Sequence, residues 1–411
     1  IFIEEAGVME KNMIQTIVIV YDQAYISGGA AKIAISAAIS LKKKGFRVIY
    51  FAALGPVDES LTQANVEVIC VGGQHIAKTK SPVALLRGIW NKGAGKQLDK
   101  LLQTLDLETT VVHIHGWTKC LSASIFNACK KNNVKTFITL HEYFSICPNG
   151  GLFDYHQNSI CNEKPCSIKC YLKNCDKRSY LQKLYRDVRQ VLTNRSLKLA
   201  HPNVIYITDF SRKILEPNIH FSNQSFLVEN HVEIQDNKKV DVSKNKEYLF
   251  IGRVSKEKGP ELFCEAITKA KVCGIVIGEG PDLPELKSKY SDITFTGWIS
   301  QEDMKPYIEK ARCLIISSEW YETMGLTIIE MQAKGIPCIV PFQCAGSDYI
   351  KNEKNGILYQ ISSLESLVRV IEKTKDNSYI KEISNAFYHD YDPIRFSMDR
   401  HINELIKVYN S

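Results

Sequence analysis

The sequence has no apolar run long enough to cross a bilayer. Charged residues or glycine interrupt each hydrophobic stretch within about ten residues, whereas a spanning helix needs about 20. Residues 1–5 also lack the basic segment followed by an apolar core that marks a secretory signal. We therefore expect a cytoplasmic protein, with any membrane contact at the inner face of the membrane.

Two further absences concern nucleic acid and dehydrogenase chemistry. The 411 residues carry a formal net charge of +7, which is modest for this length and does not by itself indicate nucleic-acid binding. Gly28-Gly29 follows a buried-strand pattern, but the third glycine and the later acidic residue of the dinucleotide fingerprint are lacking. The pair can still bring backbone N–H groups close to a phosphate or sugar, or form a tight turn without a ligand.

The 13 cysteines lack the paired two-residue spacing of common zinc sites. Eight of them are scattered through strand and helix patterns, which is typical of small buried side chains in a reducing compartment. The other five lie between Cys147 and Cys175. Four of these are candidate ligands of a structural zinc ion: Cys161, Cys166, Cys170 and Cys175. The other interpretation is a cysteine-rich lid with free or transiently oxidised thiols, and metal analysis would distinguish the two.

Strand patterns alternate with helical patterns along most of the chain. An apolar run at 16–21 is typical of a strand buried on both faces of a parallel sheet, and the rhythm resumes near Tyr248 after a polar stretch. We therefore predict an α/β protein with two doubly wound domains facing across a cleft. The predicted units are an N-terminal domain at 1–240 with a cysteine-rich insertion at 147–175, a C-terminal domain at 241–392, and a helical segment at 393–411 that can pack back on the N-terminal domain.

Two long helices are predicted in the first half of the chain. One is predicted at about 83–105 and the other, strongly basic, at 177–199. In the basic helix, Leu181, Leu184 and Val188 belong to one apolar stripe, while lysines and arginines cover the rest. The cationic face could contact anionic headgroups or a lipid-linked acceptor, or it could simply be solvated.

Candidate site residues follow several predicted strands, where doubly wound sheets bind ligands. His115, His141 and Glu142 do so in the first half, although a strand-end histidine can also be an ordinary core side chain. In the second half, Gly325 can open a helix that places Glu322 before it and Glu330 within it. These two carboxylates could be an acid and a base, with Arg253 and Lys258 as nearby cations.

Several motifs together resemble the retaining glycosyltransferases of family four, which have the GT-B fold. The resemblance covers essentially the whole chain. The motifs are Gly28-Gly29-Ala30, Thr139-Leu140-His141, Gly252-Arg253 with Lys258-Gly259, Gly278-Glu279-Gly280-Pro281, and the segment from Glu322 to Glu330 with Gly335-Ile336-Pro337. The resemblance implies sugar transfer from a nucleotide-diphosphate sugar to a glycan or lipid-linked acceptor in surface polysaccharide biosynthesis. It also implies that catalysis requires no cofactor and that nucleic acid is not a partner.

The resemblance further implies roles for single residues. Arg253 and Lys258 would grip the donor diphosphate, Glu322 would hold hydroxyls of the transferred sugar, and His141 would lie beside the reacting centre. Further donor contacts would come from Gly28, Gly29, Gly278, Gly325, Leu326 and Glu330, the last on the ribose, and sugar or acceptor contacts from His115 and Glu142. Glu142 stands where the family often has Asp, and Asn230-His231 replaces its usual Asn-Gly, which leaves the sugar and acceptor contacts open.

Two alternatives use the same cleft. A GT-B sugar-nucleotide epimerase would need no second substrate, so product analysis with the donor alone separates it from a transferase. A catalytically silent sugar-nucleotide-binding subunit would bind the donor without hydrolysis or transfer. The complete set of Arg253, Lys258, Glu322 and Glu330 argues against the silent subunit.

Overall fold

The computed structural model describes residues 13–73, 81–234 and 236–411. Residues 1–5, on which the expectation about a secretory signal depends, lie outside this range. The described helices and strands form two large parallel sheets, so the predicted α/β class is confirmed. No helix in the described ranges combines the length and the apolar character needed to cross a membrane.

The first sheet is seven-stranded and parallel, in the order β3-β2-β1-β4-β5-β8-β9. All eight residues of its central β1 are buried, as the apolar run at 16–21 predicts. The short β6 and β7 form an antiparallel hairpin within the cysteine-rich segment. The strands of this half are β1 Thr16–Gln23, β2 Arg47–Leu54, β3 Glu67–Cys70, β4 Thr110–Ile114, β5 Lys135–Thr139, β6 Phe153–Asp154, β7 Ser159–Ile160, β8 Asn203–Tyr206 and β9 Ser225–Leu227.

The helices of the first half differ from the predicted ones at one point. The helix predicted at 83–105 is two helices, because Trp90 is extended (φ −146°, ψ 100°) and the Asn91 side chain caps a new start by accepting a hydrogen bond from the Ala94 N–H at 3.1 Å. The helices of this half are α1 Gly29–Lys43, α2 Glu59–Gln63, α3 Pro82–Ile89, α4 Lys92–Leu102, α5 Ser124–Lys131, α6 Ile168–Leu172, α7 Tyr180–Ala200 and α8 Asp209–Leu215.

Helix α7 corresponds to the predicted basic helix, but some of its cationic side chains are buried and some of its apolar side chains are exposed. Lys183 is fully buried and forms an ion pair with Asp187 at 2.5 Å, and it also donates to the Cys170 carbonyl at 2.9 Å. Arg189 is buried too and donates to the Thr118 carbonyl at 2.8 Å. Two of the predicted surface cations, Lys183 and Arg189, therefore point into the protein, where carboxylate and carbonyl oxygens accept their hydrogen bonds. Leu181 and Val188 are exposed instead.

The second sheet has six parallel strands in the order β12-β11-β10-β13-β14-β15. Its strands are β10 Glu247–Ile251, β11 Cys273–Ile277, β12 Thr294–Gly297, β13 Ala311–Ile315, β14 Cys338–Pro341 and β15 Ile357–Tyr359. Helices α9 Pro260–Ala270, α10 Leu283–Lys289, α11 Gln301–Glu309, α12 Leu326–Gln332, α13 Leu364–Lys373 and α14 Asn377–His389 belong to this half. One apolar core surrounds the sheet, whereas the first sheet separates two cores, since alternate β1 residues point to opposite faces.

The chain crosses between the halves a second time near its C-terminus. Helix α15 (Met398–Asn410) packs against α1, and its Tyr409 hydroxyl lies 2.6 Å from His113 Nδ1 in β4. The two crossing segments are bonded to each other. Arg395 makes two hydrogen bonds to Glu229, at 2.9 and 2.7 Å, and the Val232 N–H donates to the Phe396 carbonyl at 2.9 Å. The last helix thus packs against the first half of the structure. The domain limits predicted from the sequence stay predictions.

Helix α15 therefore offers a test of the packing. Leu405 is almost completely buried against the first sheet, and we expect Leu405→Ala to lower the free energy of unfolding by about 2–5 kcal/mol because it leaves a cavity. Lys407→Ala, at an exposed position of the same helix, is the matched control and should change stability little. Thermal and denaturant unfolding of both variants measure the difference, and equal stability would contradict this account of the packing.

Candidate active site

The loops after β10 and β13 bring a lysine and a glutamate together. Lys258 Nζ forms an ion pair with Glu322 Oε1, and the Ser318 hydroxyl donates to Glu322 Oε2 at 2.7 Å. Lys258 Nζ also lies 5.3 Å from the centre of the Trp320 ring. Burial alone would raise the pKa of Glu322, but Lys258 and Ser318 more than offset it, so that the pKa lies below its usual value. Glu322 is therefore an anion at neutral pH.

Helix α12 begins where the sequence predicts. Gly325 is its N-cap residue at φ 87°, a left-handed conformation that a side chain would strain. The helix ends at Gln332, three residues before Gly335, and it carries Glu330 in its middle. Burial raises the pKa of Glu330, while Lys32 and Lys334 offset part of the shift. The pKa of Glu322 is thus lowered by its environment, whereas the pKa of Glu330 is raised.

A group of histidines occupies the carboxyl edge of the first sheet. His115 Nδ1 lies 3.0 Å from His141 Nε2, and the two rings are stacked. His113 lies deeper, between Tyr409 and the Thr139 hydroxyl at 2.7 Å. Burial, with a smaller contribution from His401, lowers the pKa of His141 to about 3, and burial also lowers the pKa of His115. All three rings are therefore neutral at neutral pH.

The two halves touch at this group. The Thr323 hydroxyl donates to the His141 carbonyl at 2.9 Å, and the Thr208 hydroxyl donates to the Thr323 carbonyl at 2.9 Å. A side chain at Gly29 would meet the Leu326 side chain at 3.8 Å, so the start of α1 lies opposite the start of α12. The structure thus brings His141, Glu322, Gly29 and Leu326 to one cleft.

Other predicted site residues lie at the margins of this cleft. Arg253 and Glu142 are both exposed, on loops of opposite halves. Gly278 approaches the Gly252 carbonyl so closely that a Cβ atom would collide with it. Residue 278 is therefore a glycine because the loop after β10 packs closely against it. Gly28 lies just before α1 with open space around it.

A cavity of about 820 Å³ lies between the linker and the second sheet. Ile251, Trp298 and Ile299 give it apolar walls, and Glu330 and Lys32 give it charged ones. Trp298 is 71% exposed, which is unusual for so large an apolar ring. The sequence patterns did not indicate Trp298, Ile299 or Lys32 as site residues, although the strand end at Gly297-Trp298 was a signal for the first two.

The cysteine-rich segment does not present a metal site. In the described part of the chain, which includes all 13 cysteines, no three His, Cys, Asp or Glu side chains are arranged to hold a metal ion. The Cys166 thiol donates to the Ile146 carbonyl at 3.2 Å, and Asn149 bridges Cys147 at 3.1 Å and Cys175 at 3.4 Å. Burial raises the pKa of Cys175 to about 12 and that of Cys170 to about 11, so these thiols stay protonated.

Among the described residues the four candidate ligands are not gathered around a common centre, as a zinc site would require. Cys170 and Cys175 are buried, whereas Cys161 and Cys166 are partly exposed, and the Asn194 amide in α7 donates to the Cys166 sulfur at 3.3 Å. The structural zinc ion has no support from the structure and stays a prediction from the sequence.

Comparison with known proteins identifies the second half. Residues 232–388 match the family model for glycosyl transferases group 1. This part of the chain is similar to the group 1 glycosyltransferases. The matched range contains the Lys258–Glu322 pair, helix α12 and the cavity lined by Trp298, so the candidate site lies largely within the part that this family shares.

Several glycosyltransferases are similar to this chain. The UDP-Gal:alpha-D-GlcNAc-diphosphoundecaprenol alpha-1,3-galactosyltransferase of Escherichia coli is 24% identical over 151 residues, which cover 33% of this chain and 38% of that protein. An uncharacterised glycosyltransferase of Methanocaldococcus jannaschii is 22% identical over 344 residues, covering 78% of this chain and 80% of that protein. The match to the galactosyltransferase thus spans less than half of that relative's length.

Solved structures extend the likeness to the whole fold. The crystal structure of Anabaena HepE in complex with UDP and glucose superposes with a TM-score of 0.67 at 14% identity, covering 96% of this chain and 99% of that one. At this identity the likeness concerns the fold. The predicted GT-B architecture is confirmed.

The pKa of Glu322 leads to a pH-dependent prediction. Its folded pKa lies below its ordinary value of 4.5, so its stabilising contribution is complete above that value and is lost as the pH falls through the folded pKa. We expect Glu322→Gln to lower the melting temperature at pH 7 and to match the wild type increasingly as the pH drops below about 4.5. The exposed Glu382→Gln is the control. A difference from the wild type that does not depend on pH would contradict the ion pair.

Proposed function

We propose that this chain is a retaining glycosyltransferase that moves a hexose from a nucleotide-diphosphate sugar to a glycan or lipid-linked acceptor in surface polysaccharide biosynthesis. The observation that carries the proposal is the Lys258–Glu322 pair, which the Thr323–His141 hydrogen bond holds against the neutral histidine of the other half. The ion pair of the second half thus lies next in sequence to the residue, Thr323, that contacts the backbone of His141 in the first half.

The donor fits the second half. The apolar walls around Trp298 and Ile299 suit a nucleobase, and Glu330 on the same cavity can accept hydrogen bonds from ribose hydroxyls. Arg253 and Lys258, with the backbone N–H groups at Gly325 and Leu326, would hold the diphosphate. HepE, with the same fold, is described in complex with UDP and glucose, which supports a nucleotide sugar as the donor class.

The proposed chemistry follows from the charges. Breaking the glycosyl–phosphate bond builds negative charge on the diphosphate and positive charge on the sugar ring. Lys258 and Arg253 would stabilise the leaving group, while ionised Glu322 would orient sugar hydroxyls and favour the cationic ring. The leaving phosphate oxygen would take the acceptor proton on the same face of the sugar, which gives retention without a paired acid and base. In this proposal no metal or other cofactor is required.

The acceptor would enter from the first half. A small crevice there is lined by Asp22, Lys119 and Glu142 beside His115 and His141. Asp22 is fixed by three backbone N–H groups at 2.7–2.8 Å, which makes this wall rigid. The Escherichia coli relative is named for a lipid-diphosphate acceptor, and this supports a lipid-linked acceptor here as well. The reaction would then take place at the cytoplasmic face of a membrane.

Substitution of the charged pair tests the mechanism. We expect Lys258→Ala and Glu322→Ala each to lower turnover by roughly a hundredfold or more, since each removes a contact to charge that develops in the transition state. Lys256→Ala, an exposed lysine two residues away, is the matched control and should retain wild-type turnover. Turnover is measured as sugar transfer, and the anomeric configuration of the product by NMR. Near-normal turnover of both variants, or an inverted product, would refute the assignment.

Binding of the donor can be tested without knowing the acceptor. We expect UDP or GDP, and their sugar conjugates, to raise the melting temperature in proportion to the logarithm of ligand concentration above the dissociation constant. Trp298→Ala and Glu330→Gln should reduce this shift, because they remove the proposed base and ribose contacts. Ile394→Ala, an exposed residue outside the cavity, should not. Equal ligand shifts in all variants would place the donor elsewhere.

A further inference from the structure

Helix α7 exposes the apolar residues that an amphipathic surface helix would normally bury. Leu181 is 78% exposed and Val188 is 52% exposed, whereas Lys183 and Arg189 on the other side are buried. Leu184 and Val191 continue the exposed row at helical spacing. Because the buried cations already have partners inside the protein, this orientation is fixed by the fold.

The neighbouring helix α3 extends the exposed row. The Tyr185 hydroxyl donates to the Leu85 carbonyl in α3 at 2.8 Å, and Tyr185 lies one turn from Leu181 on the same side of α7. Helix α3 contributes the exposed side chains of Val83 and Leu86. We call the combined surface the apolar ridge, which consists of Val83, Leu86, Leu181, Leu184, Val188 and Val191.

Helices α3 and α7 and the residues just before α7 expose cations but no carboxylate. The exposed cations include Arg87, Arg178, Arg195 and Lys198. Between residues 164 and 200 the only carboxylates are Asp176 and Asp187, and both are buried. Asp176 pairs with Arg186 at 3.2 Å and Asp187 with Lys183 at 2.5 Å, so neither offsets the exposed cations.

We propose that the apolar ridge docks on an anionic lipid bilayer. Its leucines and valines would enter the boundary between headgroups and acyl chains, and the surrounding arginines and lysines would contact lipid phosphates. The charge complementarity favours a bilayer over a second copy of this chain. Two copies meeting through the same ridge would bring their cationic rims together, and like charges oppose such contact.

The docking surface is attached directly to the acceptor crevice. Arg189, on the inner side of α7, donates to the Thr118 carbonyl, and the next residue, Lys119, lines the crevice. A lipid-linked acceptor held in the bilayer would thus be presented close to His115 and His141. This last step rests on the proposed function, whereas docking itself does not.

Vesicle binding tests the docking. The full chain is sedimented with vesicles of phosphatidylglycerol and phosphatidylcholine, and with vesicles of phosphatidylcholine alone. We expect binding to the anionic vesicles that weakens with salt, and a loss of roughly tenfold or more in the Leu181→Glu, Val188→Glu double variant. Ile394→Glu, an equally exposed apolar position in the C-terminal segment, is the matched control and should bind as the wild type does.

The outcomes are distinct. Unchanged vesicle binding by the double variant, or no binding of the wild type to anionic vesicles, would overturn the proposal. So would a wild-type dimer that the double variant dissociates without any change in vesicle binding. Nucleoside-diphosphate stabilisation, measured on the same variants, should stay at the wild-type level. A failure of docking can therefore be told apart from a failure of the proposed transferase function, which would abolish that stabilisation in the wild type.

Discussion

The hydrogen bond from the Thr323 hydroxyl to the His141 carbonyl joins the carboxyl edges of the two sheets, and the candidate site depends on it. The loops that follow parallel strands all lie at the carboxyl edge of the sheet, so each sheet places its site residues at that edge. With the edges apart, His141 and the Lys258–Glu322 pair would belong to two separate surfaces. The second bond, from Thr208 to the Thr323 carbonyl, fixes the same loop from the next strand of the first sheet.

Much of the fold could be predicted from the sequence, because buried parallel strands have a strong and local signature. The run at 16–21 and the restart near Tyr248 indicated both sheets, and Gly325 indicated the start of α12. Individual site residues could be chosen because they follow strands, although their roles stay predictions. Trp298 was missed because an exposed aromatic residue has no periodic signal. Only the structure shows that Trp298 forms part of the cavity wall.

The basic helix shows why the rest could not be predicted. Composition alone cannot tell which side of α7 faces the protein, since its lysines and leucines both recur at helical spacing. The orientation is decided by acceptors distant in sequence, such as the Thr118 carbonyl for Arg189 and the Cys170 carbonyl for Lys183. The surroundings of the clustered cysteines could not be predicted from composition either. Their crowding suggests a metal, but three of them, Cys147, Cys166 and Cys175, have hydrogen-bond partners in Asn149 and Ile146.

The double crossing of the chain between the halves limits how the cleft can move. A single linker would let one half swivel freely about the other. Here the segment near Glu229 and the segment near Arg395 lie side by side and are joined by hydrogen bonds. Two joined segments restrict the rotation of one half relative to the other more than a single linker would. The hydrogen bond from Thr323 to the His141 carbonyl therefore joins two halves whose relative orientation is already restricted by the chain itself.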